Sequence, residues 1–420
     1  MLLKKIRENT FLFVAFALGW ASLYGNVLNF LLILLLIVNV WGNGAEFWRN
    51  VRQEKYYLGI PAFFLIYMVF HALFYRTGAE SGLKPSYGIF ETLTLYFILV
   101  PLYLLSMKPW MSVKMLEKAL LCFCGGVLLV NVCMFFELTG WGFFKHPLAS
   151  LEFIYQSRFG GNRSPLGGHL MLEPQAMVLS LASVLSFFMA FIRKKVWIGI
   201  MAVLLILCLS FTVTKASLLG FIVGAAIGGV YLFRKLKKRE KGIVIVSFVV
   251  LLLAGIFCMP EGYVMRFQET ATEIKNIGDG NLQGVSLAPR IVMWTKAKEH
   301  FQEYALWGVG LYYKPLLKQW YADSPLISAM PNVHNSFLEY WIKGGIFGLG
   351  LIVSLFAAPI VRMLRRKQWS FIALGGIAAI FIASNTCVLF VHNNSLTILL
   401  FWLSAFYFYL KEFNALEREP

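Results

Sequence analysis

His334 is the side chain best placed, by type and position, to move a proton. It stands in Asn332-Val333-His334-Asn335-Ser336-Phe337-Leu338-Glu339, where a long polar stretch gives way to an apolar run. An imidazole titrates near neutrality, so here it can act as a general base on a hydroxyl. The position suits equally a histidine that hydrogen-bonds loop backbone at a helix start, and both readings stay open. Arg290 follows Ser286 and Pro289 and falls in the first turn of a capped helix, PRIVMWTKAKEHF. A helix dipole disfavours a cation there, so its charge points to an anion held nearby or to a lipid phosphate. Lys215, in the tight turn SFTVTKASL, is either a snorkelling interfacial lysine or an anion ligand. Other polar residues at the edges of apolar runs are Arg158, Arg163, His169, Glu173, Arg266, Lys343 and His392. Such groups are costly beside hydrocarbon and are functional candidates by default. Glu339 and Lys343, four apart with the carboxylate first, read as a helical ion pair.

The elements that must hold these residues are membrane helices. Of 420 residues 59% are hydrophobic, 16% aromatic and only 14% charged. Soluble domains carry roughly 25% charged residues, so a water-facing surface cannot be built from so few. Apolar runs recur nearly end to end, which predicts an all-α polytopic membrane protein with a single transmembrane domain, 1–420. A span needs about 20 apolar residues, and about twelve segments qualify. They lie near 9–24, 26–43, 56–75, 87–107, 115–138, 170–192, 195–213, 216–234, 243–259, 335–360, 370–388 and 393–411. The first two are short. The first is expected to be an uncleaved span rather than a signal peptide, because no small-x-small site follows it.

Charge placement orients these spans. The net charge of +17 is not spread as in a nucleic-acid-binding surface. It gathers in short connections: Lys4/Lys5/Arg7, Arg49/Arg52/Lys55, Lys108/Lys114/Lys118, Arg193/Lys194/Lys195, 234–241, Arg362/Arg365/Arg366/Lys367 and Lys411/Arg418. With twelve spans all of these fall on one side, which the positive-inside rule makes cytoplasmic, along with both termini. Two long loops then lie outside, 139–169 and 260–333, the second partly helical. Long loops in compact proteins are usually functional or disordered, and the second has too much helical signal for disorder. The cysteines at 122, 124, 133, 208, 258 and 387 sit in or beside apolar runs and read as core residues. No metal-ligand spacing, Walker loop or dinucleotide motif is present, so neither cofactor nor metal is expected.

One stretch carries a resemblance. Leu287-Ala288-Pro289-Arg290-Ile291-Val292-Met293-Trp294 is followed by Trp307-Gly308-Val309-Gly310, then His334-Asn335-Ser336-Phe337-Leu338-Glu339 and Gly344-Gly345-Ile346-Phe347-Gly348. This order resembles the O-antigen ligase and O-antigen polymerase superfamily, whose layout of about twelve spans with a large outer loop between the ninth and tenth is also similar. The resemblance implies a GT-C-like, metal-independent, inverting glycosyltransferase of the bacterial inner membrane, with its active face periplasmic. The donor would be a glycan on undecaprenyl pyrophosphate, and the acceptor a lipid A core sugar or another glycan. In family terms His334 deprotonates the acceptor hydroxyl and Arg290 holds the pyrophosphate, while Lys215, Arg158, Arg163, Arg266 and Asn335 are candidates for binding pyrophosphate or glycan. Where the family often has a Ser-Arg-Gly-like turn, this chain has Thr214-Lys215-Ala216-Ser217, which keeps the charge and loses bidentate geometry.

Two other classes compete. A multi-pass transporter or lipid-linked oligosaccharide flippase fits the span count. Transporters generally keep ionisable groups near the bilayer midplane and carry an internal repeat, and neither is visible here. A peptidoglycan polymerase of the shape, elongation and division type has a related layout with an acidic residue in its outer loop. Glu269, Glu273 and Asp279 lie there without a motif around them.

Overall fold

The computed structural model describes residues 2–74, 83–138, 172–211, 214–235, 237–238, 241–242, 272, 275, 288–385 and 393–418. Among these, regular structure is helical and no strand occurs. The helices are α1 (Leu2–Leu18), α2 (Ala21–Gln53), α3 (Lys55–Phe74) and α4 (Gly88–Thr92), which continues through a π-helical turn, Leu93–Ile98, into α5 (Leu99–Met107). Next come α6 (Val113–Leu138), α7 (Leu172–Arg193), α8 (Val196–Phe211) and α9 (Lys215–Lys235). The loop helices are α10 (Ala288–Glu299), α11 (Phe301–Tyr304) and α12 (Tyr313–Trp320). The chain closes with α13 (Ser336–Arg366), α14 (Phe371–Ser384), α15 (Asn393–Phe408) and α16 (Leu410–Leu416).

Among the described residues six helices are long and apolar enough to cross a membrane, in α2, α3, α6, α7, α9 and α13. Helices α15 and α16, bent by 79° where they meet, make a seventh if taken as one span. Two further apolar helices, Val196–Ser210 and Phe371–Ser384, are shorter. The expected ninth segment, 243–259, the loop 139–169 and most of 260–287 lie outside the described residues. So do Arg158, Arg163, His169, Arg266 and His392. Two expected boundaries are corrected. The first segment, read as 9–24, is divided by the break at Gly19 and Trp20 between α1 and α2. The second segment, read as 26–43, is part of a helix that runs on to Gln53. Its polar extension is held by local pairing, with Glu46 accepting from Asn43 Nδ2 at 2.9 Å and from Arg49 at 3.0 Å. Apolar periodicity does not register that kind of support.

Glycine lets the helices close up. Helix α9 runs antiparallel to α14. A Cβ on Gly220 would sit 3.0 Å from Ala379 O, on Gly224 2.6 Å from Gly375 O, and on Gly228 2.7 Å from Phe371 O. Helix α1 meets α6 the same way, a Cβ on Gly126 falling 2.2 Å from Phe16 O. Small residues are what allow such approach in a membrane bundle. Large apolar side chains such as Phe30, Trp41, Phe63, Phe70, Phe74, Ile222 and Val230 are exposed, as a surface against hydrocarbon requires.

One end of the bundle is tied by ion pairs. Glu54, between α2 and α3, accepts from Arg362 at 2.6 and 2.9 Å and from Lys108 at 2.8 Å. Arg193 at the end of α7 makes two bonds to Glu117 on α6, at 2.7 and 2.8 Å. Arg7 stacks over Trp110, 4.2 Å from its centroid. These cations belong to the basic connections that charge placement put on one side.

Candidate functional site

At the opposite end of α13, the loop helices bring Arg290 and His334 onto one scaffold. Arg290 lies in the first turn of α10, and Trp294 follows one turn later on the same side of the helix. Trp294 Nε1 donates to Val333 O at 2.9 Å, so the arginine's helix is fastened to the peptide just before His334. His334 is half-buried, with Nδ1 turned away from solvent. Its backbone is left-handed, with φ +49°. A non-glycine residue there costs about 1–3 kcal/mol and persists only where its surroundings over-determine it.

Those surroundings are specific. The His334 N–H donates to Asn332 Oδ1 at 3.3 Å. Asn335 caps α13, its Oδ1 accepting from the N–H groups of Phe337 and Leu338 at 3.0 Å each. Its Nδ2 donates to Asn385 O at 3.0 Å, at the C-terminal end of α14. Asn335, expected to bind substrate, is thus engaged by protein backbone and holds its neighbour in place. The tie to α14 also relates Lys215 to this end of the molecule. Lys215 opens α9, whose start lies beside the end of α14 in their antiparallel pairing, and its side chain is exposed.

The glycine motifs have a clear structural role. Helix α13 breaks at Gly344 and Gly345, the latter at φ +58°. The turn Gly308-Val309-Gly310 plugs that break. Val309 N–H donates to Ile342 O at 2.8 Å and Ile346 N–H donates to Leu306 O at 3.2 Å, so groups freed by the break are paired again. Gly308 and Gly310 have φ of +73° and +59°. A Cβ on Gly308 would lie 2.5 Å from Gly345 N, and one on Gly345 2.1 Å from Leu306 O. Only glycine tolerates both the dihedral and the approach.

Two side chains that the sequence reading did not single out hold this plug from α3. His71 Nε2 donates to Gly308 O at 3.2 Å, and Tyr67 donates its hydroxyl to Trp307 O. His71 lies inside an apolar run, where only its contact with the distant loop reveals its use. The break divides the candidate span Ser336–Arg366, with Ser336 to Lys343 as the piece next to the loop. The expected ion pair is present in that piece, with Lys343 Nζ 2.7 Å from Glu339 Oε1. Among the described residues no three His, Cys, Asp or Glu side chains gather as metal ligands.

Residues 200–353 match the O-antigen ligase family. The match supports the resemblance to the O-antigen ligase and polymerase superfamily over that stretch. It takes in Lys215, Arg266, Arg290, His334, Asn335 and both glycine pairs, and leaves Arg158 and Arg163 outside. Comparison with curated proteins returns no match. Likeness to the O-antigen ligase family over residues 200–353, together with several apolar helices, fits a multi-pass membrane protein.

Proposed function

We propose that this protein transfers a preassembled glycan from undecaprenyl pyrophosphate to an acceptor hydroxyl, at the periplasmic face of the inner membrane. The hydrogen bond from Trp294 to Val333 carries the reading, because it fastens the anion-binding candidate to the proton acceptor. His334 takes the proton of the acceptor hydroxyl. The freed oxygen attacks the anomeric carbon, the bond from that carbon to the pyrophosphate oxygen breaks, and its electron pair leaves on the pyrophosphate. Arg290 meets the charge that develops there with bidentate hydrogen bonds, which can substitute for a metal ion. Attack opposite the leaving group inverts the anomeric centre. Lys215 supplies a second cation as a point charge, and Arg158, Arg163 and Arg266 are further candidates for the same anion. The acceptor is a lipid A core sugar or the end of another glycan.

Reconstituted protein given a lipid-linked glycan, with and without lipid A core acceptor, tests this against flippase activity. Transfer predicts glycan covalently attached to acceptor and an equal amount of undecaprenyl pyrophosphate released. Movement of the intact donor between leaflets without cleavage would support the transporter class instead.

A further inference from the structure

Two helices measure how deep the glycine plug lies. At the clamped end of the bundle Glu54, between α2 and α3, accepts from Arg362 of α13 at 2.6 and 2.9 Å. Exposed Arg52 and Lys55 flank Glu54, and exposed Arg365 and Arg366 follow Arg362 within about a turn, so the pair marks a membrane–water boundary. His71 lies 17 residues beyond Glu54 on α3, and Gly345 lies 17 residues before Arg362 on α13. At about 1.5 Å per residue each path climbs about 25 Å, and any tilt lessens that depth. Both paths end on the same turn. His71 Nε2 donates to Gly308 O at 3.2 Å, and a Cβ on Gly308 would lie 2.5 Å from Gly345 N. A hydrocarbon core is about 30 Å thick. The turn, expected within the outer loop 260–333, therefore falls inside that layer, near its far edge.

Its hydrogen bonding is what hydrocarbon demands. Five consecutive carbonyls, Ala305 to Val309, accept from the protein. Ala305 O takes Trp341 Nε1 at 2.9 Å, Leu306 O the Ile346 N–H at 3.2 Å and Trp307 O the Tyr67 hydroxyl. Gly308 O takes His71, and Val309 O the Tyr312 N–H at 3.2 Å. A turn in water can leave such groups to solvent, whereas irregular backbone at membrane depth has to be paired by protein. The side chains that face outward are apolar, with Leu306 56% exposed and Trp307 47%. Trp307 continues the exposed apolar surface of the spans. Its ring lies 6.1 Å from that of Phe347, which lies 5.8 Å from exposed Phe63 of α3. Exposed polar side chains resume on either side, at Gln302, Glu303 and Lys314.

We propose that residues 305–309 form a re-entrant tip seated in the leaflet on the side of Arg290 and His334, with Leu306 and Trp307 packed against phospholipid acyl chains. The tip anchors the loop that carries Arg290 to the bilayer. Wild-type protein in phosphatidylethanolamine–phosphatidylglycerol vesicles tests this without a transfer assay, so the outcome is independent of the functional reading. Trp294, 38% exposed, serves as the water-facing reference. Under hydroxyl-radical oxidation read by mass spectrometry, Trp307 is modified at least about fivefold more slowly than Trp294, although its geometry leaves it the more exposed of the two. A phospholipid carrying a diazirine on its acyl chain adds to Leu306 or Trp307 on illumination and not to Trp294. Oxidation of Trp307 as fast as Trp294 would overturn the proposal and return the turn to the aqueous loop. Protection without a lipid adduct would overturn it too, because protein then covers the tip. Adducts lost on adding undecaprenyl phosphate would assign the surface to a polyprenyl tail and overturn the bilayer contact as well.

Discussion

At the residue scale the account depends on what a few side chains do to one another. His334→Ala removes the base and is expected to lower transfer about 10²–10⁴-fold, measured as single-turnover rate with saturating donor. Arg290→Lys keeps the charge and loses the bidentate fork, so it should retain part of the rate that Arg290→Ala loses. Trp294→Phe removes the N–H together with the pyrrole part of a partly exposed indole. Its predicted effect is about a tenfold fall in kcat with the melting temperature unchanged, because the bond to Val333 O aligns the two candidates. Equal kinetics in Trp294→Phe would show that the bond does not matter. His334 and Arg290 stand out in the sequence as candidates because of their types at places where apolar runs end. The Trp294 bond, the cap by Asn335 and the contact of His71 with Gly308 do not. Each joins residues far apart in the chain, and residue type alone does not say whether an indole or an amide serves ligand or backbone.

At the scale of elements, the broken helix α13 and its plug shape the site. Gly345→Ala places a methyl against Leu306 O and forces an alanine to φ +58°, so it should destabilise the protein by roughly 1–3 kcal/mol or more, read from the detergent melting curve. His71→Ala leaves Gly308 O without its donor from α3 and is expected to cost about 1–3 kcal/mol in the same measurement. A melting temperature unchanged in both variants would mean that the plug is not a structural keystone. The glycine pairs were visible as motifs, and glycine inside a span was read as a packing device. That each pair exists for the other, one as a break and one as its filling, needs the third dimension. Helix positions were legible from apolar runs, whereas α2 outran its run because side-chain pairs continue a helix after hydropathy ends.

At the scale of the whole molecule, the ends of the bundle have different tasks. The end away from the site is clamped by Glu54, where α2 and α3 meet, with Lys108 beside α5 and Arg362 of α13. Burial alone would raise the Glu54 carboxyl, but its bonds to Arg362 and Lys108 win and hold it at about 2. A carboxyl lowered on folding contributes stability that is full above its ordinary value of 4.5 and is lost as pH falls toward 2. Melting temperature should therefore drop across that window in wild type, and drop less in Glu54→Gln, which starts lower at neutral pH. An identical pH profile in the two would show that the clamp is not titrating. The positive-inside pattern puts the basic connections on one side, and ion pairs join several of them: Lys108 and Arg362 through Glu54, and Arg193 to Glu117 between Lys114 and Lys118.

The proposed function has Arg290 and His334 act in one transfer step. It is tested most directly by purified wild type, His334→Ala and Arg290→Ala, all folded, given lipid-linked glycan and lipid A core acceptor. Wild type is expected to form the glycan-acceptor product, and both variants to lose that product together with the matching release of undecaprenyl pyrophosphate. Product formed at the wild-type rate by both variants would contradict it.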